Sequence, residues 1–156
     1  PILTSETLLI KFMKRNVKVY SVSFSKSLEH NVIRDMLLPG CIKVVSINQQ
    51  EPAPHKFFEI GDIIIAGDAP KQMQRLCLVE EGQGITMTAA KSYIEAINNI
   101  LFKYKLEYAN AERPYSLRAA SITSNEKTVG EIGEIHPDVL TAFKIKNPVI
   151  YSEFYL

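Results

Sequence analysis

Two closely spaced apolar runs stand out in the middle of the chain. Phe57 to Ala66 and Arg75 to Glu80 are rich in β-branched, aliphatic and aromatic residues, and Gly67-Asp68-Ala69-Pro70 lies between them. Such residues suit a pleated surface, and the intervening residues supply turn geometry, so the pattern predicts a hairpin. A longer periodic stretch follows from about Thr88 to Tyr104. Ala90, Tyr93, Ile94, Ile97, Ile100, Leu101 and Tyr104 recur at helical spacing, with Lys91, Glu95, Asn98 and Lys105 on the opposite face. This predicts an amphipathic helix whose apolar stripe is core.

The remaining elements follow the same logic. Thr4 or Ser5 is placed to cap a first helix carrying Leu8, Leu9, Phe12 and Met13 on one side. Val17 to Val22 alternates like a strand, and Asn31 to Leu38 is compatible with helix or strand. Pro39-Gly40 opens a helix to about Gln49, with Ile42, Val45 and Ser46 inward; proline fits a first turn because its missing donor is not needed there. Pro52-Ala53-Pro54 stops it. Leu106 to Ala109, Arg118 to Thr123 and Lys127 to Ile135 read as extended runs, with a turn at Ser124-Asn125-Glu126. His136-Pro137-Asp138 starts a short helix, and Val149 to Leu156 closes the chain as a strand. Strands returning through short turns predict an α+β fold with an antiparallel sheet, one face of which is covered by the Pro39 helix and the long helix.

Composition narrows the class. The chain has 156 residues, enough for one domain with a real core. Apolar residues make up 46% and charged residues 22%, as in ordinary globular proteins. A formal net charge of +1 provides no broad field for nucleic acid or membrane. No membrane-length apolar run is present. The two cysteines, Cys41 and Cys77, sit in apolar runs and read as buried free thiols of an intracellular, cytoplasmic protein.

Candidate chemistry is sparse. His30, His55 and His136 have no metal-ligand spacing with the cysteines or with one another. His136 before Pro137 suits a local capping bond. Gly130 and Gly133 lack the lysine and the third glycine of phosphate loops, and read as strand bends or close backbone contacts. Glu131, Glu134, His136 and Asp138 form an acidic group that a metal-assisted hydrolase could use.

Four segments, in order, resemble the C-terminal synthetase-like module of phenylalanyl-tRNA synthetase β subunits of the archaeal and eukaryotic type. They are Val32-Ile33-Arg34-Asp35-Met36-Leu37-Leu38-Pro39-Gly40, Pro54-His55-Lys56-Phe57-Phe58-Glu59-Ile60-Gly61-Asp62, and the Thr86 to Leu101 helix with Lys91 near its start. The fourth is Gly130-Glu131-Ile132-Gly133-Glu134-Ile135-His136-Pro137-Asp138-Val139-Leu140, ending in Val149 to Phe154. The resemblance covers nearly the whole chain. It marks Arg34, Pro39, Gly40, Phe58, Glu59, Gly61, Gly130, Gly133, His136 and Pro137 as structural motif residues, with no catalytic, cofactor-binding or metal-binding residue among them. It implies a degenerate class II aminoacyl-tRNA synthetase-like core, residues 1–156 forming one domain of a longer β subunit.

Class II synthetases activate an amino acid with ATP, using arginines of their second and third signature motifs. A guanidinium suits that task as a permanent planar charge. Here Gly61-Asp62-Ile63-Ile64-Ile65-Ala66-Gly67-Asp68 is aliphatic where the first such arginine is expected, and no glycine-rich, arginine-bearing segment closes the chain. Losing one preorganised charge of this kind costs about a hundredfold to a thousandfold in rate. Lys71 and Arg75 compensate only if they turn inward, which is not expected. The resemblance therefore implies a non-catalytic domain that packs against the catalytic α subunit in a heterotetramer. ATP and magnesium are implied for the holoenzyme and not for this chain, and tRNA binds through the holoenzyme. The aromatic-rich second half, with Tyr104, Tyr108, Tyr115, Tyr151, Phe154 and Tyr155, serves the domain's own core or that partner. A stand-alone paralogue that binds a small regulatory molecule is the alternative.

Overall fold

The fold is described from a computed structural model, covering residues 2–23, 25 and 27–156. A six-stranded antiparallel sheet runs in the order β3-β4-β8-β7-β6-β5. Its strands are β3 (His55–Ile65), β4 (Lys71–Glu81), β5 (Glu107–Ala111), β6 (Ser116–Ser124), β7 (Lys127–Ile135) and β8 (Val149–Tyr155). β1 (Leu3–Thr4) and β2 (Val32–Ile33) pair separately. The helices are α1 (Leu38–Ile47), α2 (Met87–Leu101) and α3 (Pro137–Ala142). No helix among the described residues is long and apolar enough to cross a membrane.

The hairpins form where turn chemistry asked for them. β3 and β4 pair over their full length, from His55↔Glu81 to Ile65↔Lys71. Asn125 and Glu126 both take positive φ, 49° and 62°, joining β6 to β7; the mirror-image turn matches the right-handed twist of the strands. The chain's last strand is central, since β8 lies between β4 and β7.

Strand parity sorts the core into two layers. Cys77, Val79, Val149, Tyr151 and Ile135 pack with α1 and the N-terminal segment. Leu76, Ile150, Phe154, Ile132 and Ile122 pack with Ala90 and Ile94 of α2. Neighbouring residues of one strand point to opposite faces, so α1 and α2 lie on opposite sides of the sheet. This corrects the expectation that both helices cover one face. The runs Leu76-Cys77-Leu78-Val79 and Val149-Ile150-Tyr151 are apolar at both parities, as central strands covered on both faces must be.

Three local expectations change. Leu3–Thr4 is a strand, and neither Thr4 nor Ser5 caps the first helix, which is one π-helical turn over Thr7–Phe12. The Glu6 N–H donates instead to Asn31 Oδ1 at 2.9 Å. Leu9 and Met13 are nevertheless fully buried, as the apolar stripe requires. Val17 to Val22 forms one bridge, Ser21↔Val32, and no strand; this bridge lies on the edge of β2 opposite to the one that β1 pairs with. On α2, Asn98 from the polar set is buried and holds both the N–H and the carbonyl of Tyr104, whereas Tyr93, Ile100, Leu101 and Tyr104 are exposed. The side-chain bonds of Asn98 to Tyr104 end the helix, and α2 buries only a narrow strip on β7 and β8.

Candidate functional site

On the α1 face, cross-strand register builds a row of carboxylates. Glu59 on β3 lies opposite Cys77 on β4, Cys77 opposite Glu153 on β8, and Glu153 opposite Glu131 on β7. Directly opposed residues share a face, and like charges so placed repel. Each carboxylate is met by its own arginine. Arg34 Nη1 donates to Glu59 Oε1 at 2.6 Å, Arg75 Nη1 to Glu153 Oε1 at 3.0 Å, and Arg113 Nε to Glu131 Oε2 at 2.7 Å. A fourth pair, Arg15 with Asp35, joins through the two terminal guanidinium nitrogens, Nη1 and Nη2.

Glu153 is the centre of this layer and is 1% exposed. Its carboxylate also accepts from the Leu37 N–H at 3.1 Å and the Leu38 N–H at 3.0 Å. No side chain at the start of α1 provides a cap, so a strand carboxylate does, satisfying orphan donors and facing the positive end of the helix. Burial pushes the Glu153 carboxyl above the usual range, and Arg75 and the Leu37 N–H oppose that shift. Arg75 also stacks on Tyr155, 4.1 Å from the ring centroid.

Around Glu131, Tyr115 donates to Oε1 at 2.6 Å, and the Tyr151 hydroxyl meets Ser116 Oγ at 2.9 Å. Burial, then the Glu131 charge, holds both phenols well above their ordinary range. Gly133 makes room for this pair, because a Cβ there would stand 2.7 Å from Tyr151 Cε1. A Cβ at Gly130 would stand 2.7 Å from the Glu153 carbonyl oxygen. Both glycines therefore serve close approach, as the sequence suggested.

The motif residues divide into clusters. Arg34, Gly40, Glu59 and Gly61 come together: Arg34 Nη2 occupies the space over Gly61, Arg34 Nε donates to the Asp62 carbonyl at 2.9 Å, and Glu59 Oε2 is 3.9 Å from where a Gly40 Cβ would be. Pro39 sits in the first turn of α1. Gly130 and Gly133 flank the carboxylate row, while His136 and Pro137 start α3, where His136 Nδ1 accepts from the Asp138 N–H at 3.1 Å. Phe58 stands apart from all of these on the α2 face, 71% exposed.

The acidic group does not assemble. Glu131 faces α1; Glu134, three positions on, faces the other side and pairs with Arg118; Asp138 pairs with Lys14. Among the described residues no set of three or more His, Cys, Asp and Glu is arranged to hold a metal. Lys71, Arg75 and Arg118 do not converge either. Arg75 does turn inward, against expectation, but onto Glu153, and Arg118 lies on the opposite face. Cys41 and Cys77 are free and buried, and burial raises the Cys77 thiol.

Sequence reading missed Arg15, Asp35, Arg113, Tyr115 and Glu153 as a group. Their signal is a carboxylate at an inward parity within an apolar strand, as Glu153 is between Tyr151 and Phe154. Buried carboxylates require partners, and the chain contains matching arginines.

These features define an α+β domain whose polar interior layer is neutralised by its own side chains. The chain belongs to the family described as the phenylalanyl tRNA synthetase beta chain CLM domain, whose model matches residues 2–156. It is similar to the phenylalanine–tRNA ligase beta subunit of Methanocaldococcus jannaschii, 32% identical over 97% of this chain and 29% of that protein. The beta subunit of Methanothrix thermoacetophila is 29% identical over 99% of this chain and 28% of its own length. That of Thermoplasma volcanium is 30% identical over 82% and 24%. The chain thus spans under a third of the length of these relatives.

Proposed function

We propose that this chain is a non-catalytic, class II synthetase-like domain of a phenylalanine–tRNA ligase β subunit, and that it supports assembly with the catalytic α subunit. The observation that carries this reading is the row Glu59, Glu153 and Glu131, each paired with an arginine of the same chain. Guanidinium groups held this way are spent on internal carboxylates. Stabilising a transferring adenylyl group needs a positive fork aimed at substrate. In this proposal ATP, magnesium and phenylalanine bind the α subunit, tRNA engages the cytoplasmic α/β holoenzyme, and two such pairs form a heterotetramer.

The test is co-expression with an α subunit. The expected result is a stable complex that retains this chain through size-exclusion chromatography and regains aminoacylation when the remaining β modules are supplied. Failure of this chain to co-purify would overturn the assembly role.

A second reading has one feature in its favour. A cleft of about 410 Å³ lies beside Arg34 and Glu59, with Lys43, His30 and Thr4 at its walls. A small regulatory molecule bearing both charges could lodge there. A thermal-shift screen with amino acids and nucleotides distinguishes it; a saturable shift abolished by Lys43→Ala would favour the sensor reading.

A further inference from the structure

The first turn of α1 crosses the carboxylate row at Cys77. Cys77 lies directly opposite Glu59 on β3 and Glu153 on β8. The turn is held at both of these neighbours. The Leu37 and Leu38 N–H groups donate to Glu153, and Gly40 sits against Glu59. Between those two anchors the helix passes over Cys77, and α1 packs chiefly on β4 and β3. Cys41 comes one turn after Leu37, its N–H donating to the Leu37 carbonyl at 3.2 Å. Its side chain therefore leaves α1 on the side that faces the sheet. It is buried in the same core cluster as Cys77, and the two residues are 3% and 0% exposed. The thiols are neighbours: burial, then the adjacent Cys41, raises the Cys77 thiol well above its ordinary range. Both thiols are free, and the chain has no third cysteine. Both lie inside the core, away from any surface that the rest of a longer protein would cover.

We propose that Cys41 and Cys77 form an oxidative modification site, a dithiol that a hydroperoxide converts into a disulfide strapping α1 to β4. This inference is independent of the assembly role. A buried, protonated thiol is a poor nucleophile, so the pair rests reduced while α1 is seated. Reaction begins when local opening at the start of α1 admits a small oxidant. One thiolate attacks an oxygen of hydrogen peroxide. The S–O bond forms, the O–O bond breaks, and the departing hydroxide takes up the thiol's proton as water. The second thiol then attacks the sulfenic sulfur. The S–S bond forms, the S–O bond breaks, and a second water leaves. Two electrons pass from the sulfurs to the peroxide. The nearness of the second thiol directs the sulfenic acid to a disulfide rather than to further oxidation. The new bond closes a loop that contains β3 and its hairpin turn, which restricts the unfolded chain and stabilises the layer under α1.

The test is to treat the chain with hydrogen peroxide under native conditions, block the remaining thiols in denaturant, and digest with trypsin. The expected product is peptide 35–43 joined to peptide 76–91 by a disulfide, recovered from monomer and separated again by dithiothreitol. Oxidation should also raise the urea midpoint by about 1 M, reversibly with reductant. Cys41→Ser should abolish both the linked peptide and the shift, and the mapping of the unaltered chain stands whether or not that variant folds. Two free thiols after peroxide treatment, sulfinic acid in place of the linkage, or a disulfide between two chains would overturn the proposal. A linked chain with an unchanged or lower urea midpoint would overturn the strap.

Discussion

The two faces of the sheet bury similar strands but solve different problems. The α1 face holds charges: Glu153, Glu131, Arg75 and Arg15 lie among Cys77, Val79, Tyr115 and Tyr151. The buried layer of the α2 face is apolar, with Leu76, Ile122, Ile132, Ile150 and Phe154 under a single helix, and its ion pairs, Lys56–Glu80 and Arg118–Glu134, each keep an exposed cation. A purely apolar layer can be covered by any complementary surface. A charged layer must be closed by defined partners, because an unpaired buried ion costs far more than an exposed one. The α1 face is therefore closed within the chain by matched pairs, and the α2 face is left partly open at Phe58 and Ile60.

That contrast can be broken most severely at Glu153. Glu153→Ala strands Arg75 and removes the acceptor for the Leu37 and Leu38 N–H groups, so a loss of about 3–5 kcal/mol is expected in urea unfolding. A loss below that of an apolar truncation would show that the pairing is dispensable. On the opposite face, Ile132→Ala should cost about 2–4 kcal/mol through lost burial and a cavity. Phe58→Ala, on the same face but exposed, should stay within about 0.5 kcal/mol.

The smallest effect at neutral pH, and the sharpest in its sign, concerns the phenols. Tyr115 and Tyr151 are held protonated in the fold by burial and Glu131. Their folded values lie above the unfolded value of about 10, so stability is constant below that pH and falls as pH rises beyond it. Ultraviolet titration should show these phenols ionising only with unfolding. Ionisation of all tyrosines in the native state near pH 10 would contradict the buried geometry.

Much of the fold was legible in the sequence. The β3–β4 hairpin, the β6–β7 turn at Asn125, the Pro39 start of α1 and the closing strand all follow from local chemistry. The side of the sheet on which each helix lies did not emerge, although double-parity apolar runs at Leu76-Cys77-Leu78-Val79 carried the clue. The register-dependent part was hidden for a physical reason. Glu59, Glu153 and Glu131 fall into one row only because β8, last in the chain, inserts between β4 and β7. Helix periodicity also misassigned Asn98, since a buried amide closing a helix end looks like a surface residue in a polar stripe. Of the motif residues, the Arg34, Gly40, Glu59 and Gly61 cluster came together, while Phe58 proved to belong to a different surface.

The central claim is that the arginines of the α1 face are committed to the chain's own carboxylates. The most direct test is phenylalanine-dependent exchange of pyrophosphate into ATP by this chain alone, measured beside the same chain assembled with an α subunit. The account predicts exchange only in the assembled sample. Exchange by the chain alone, abolished by Arg75→Ala, would contradict it.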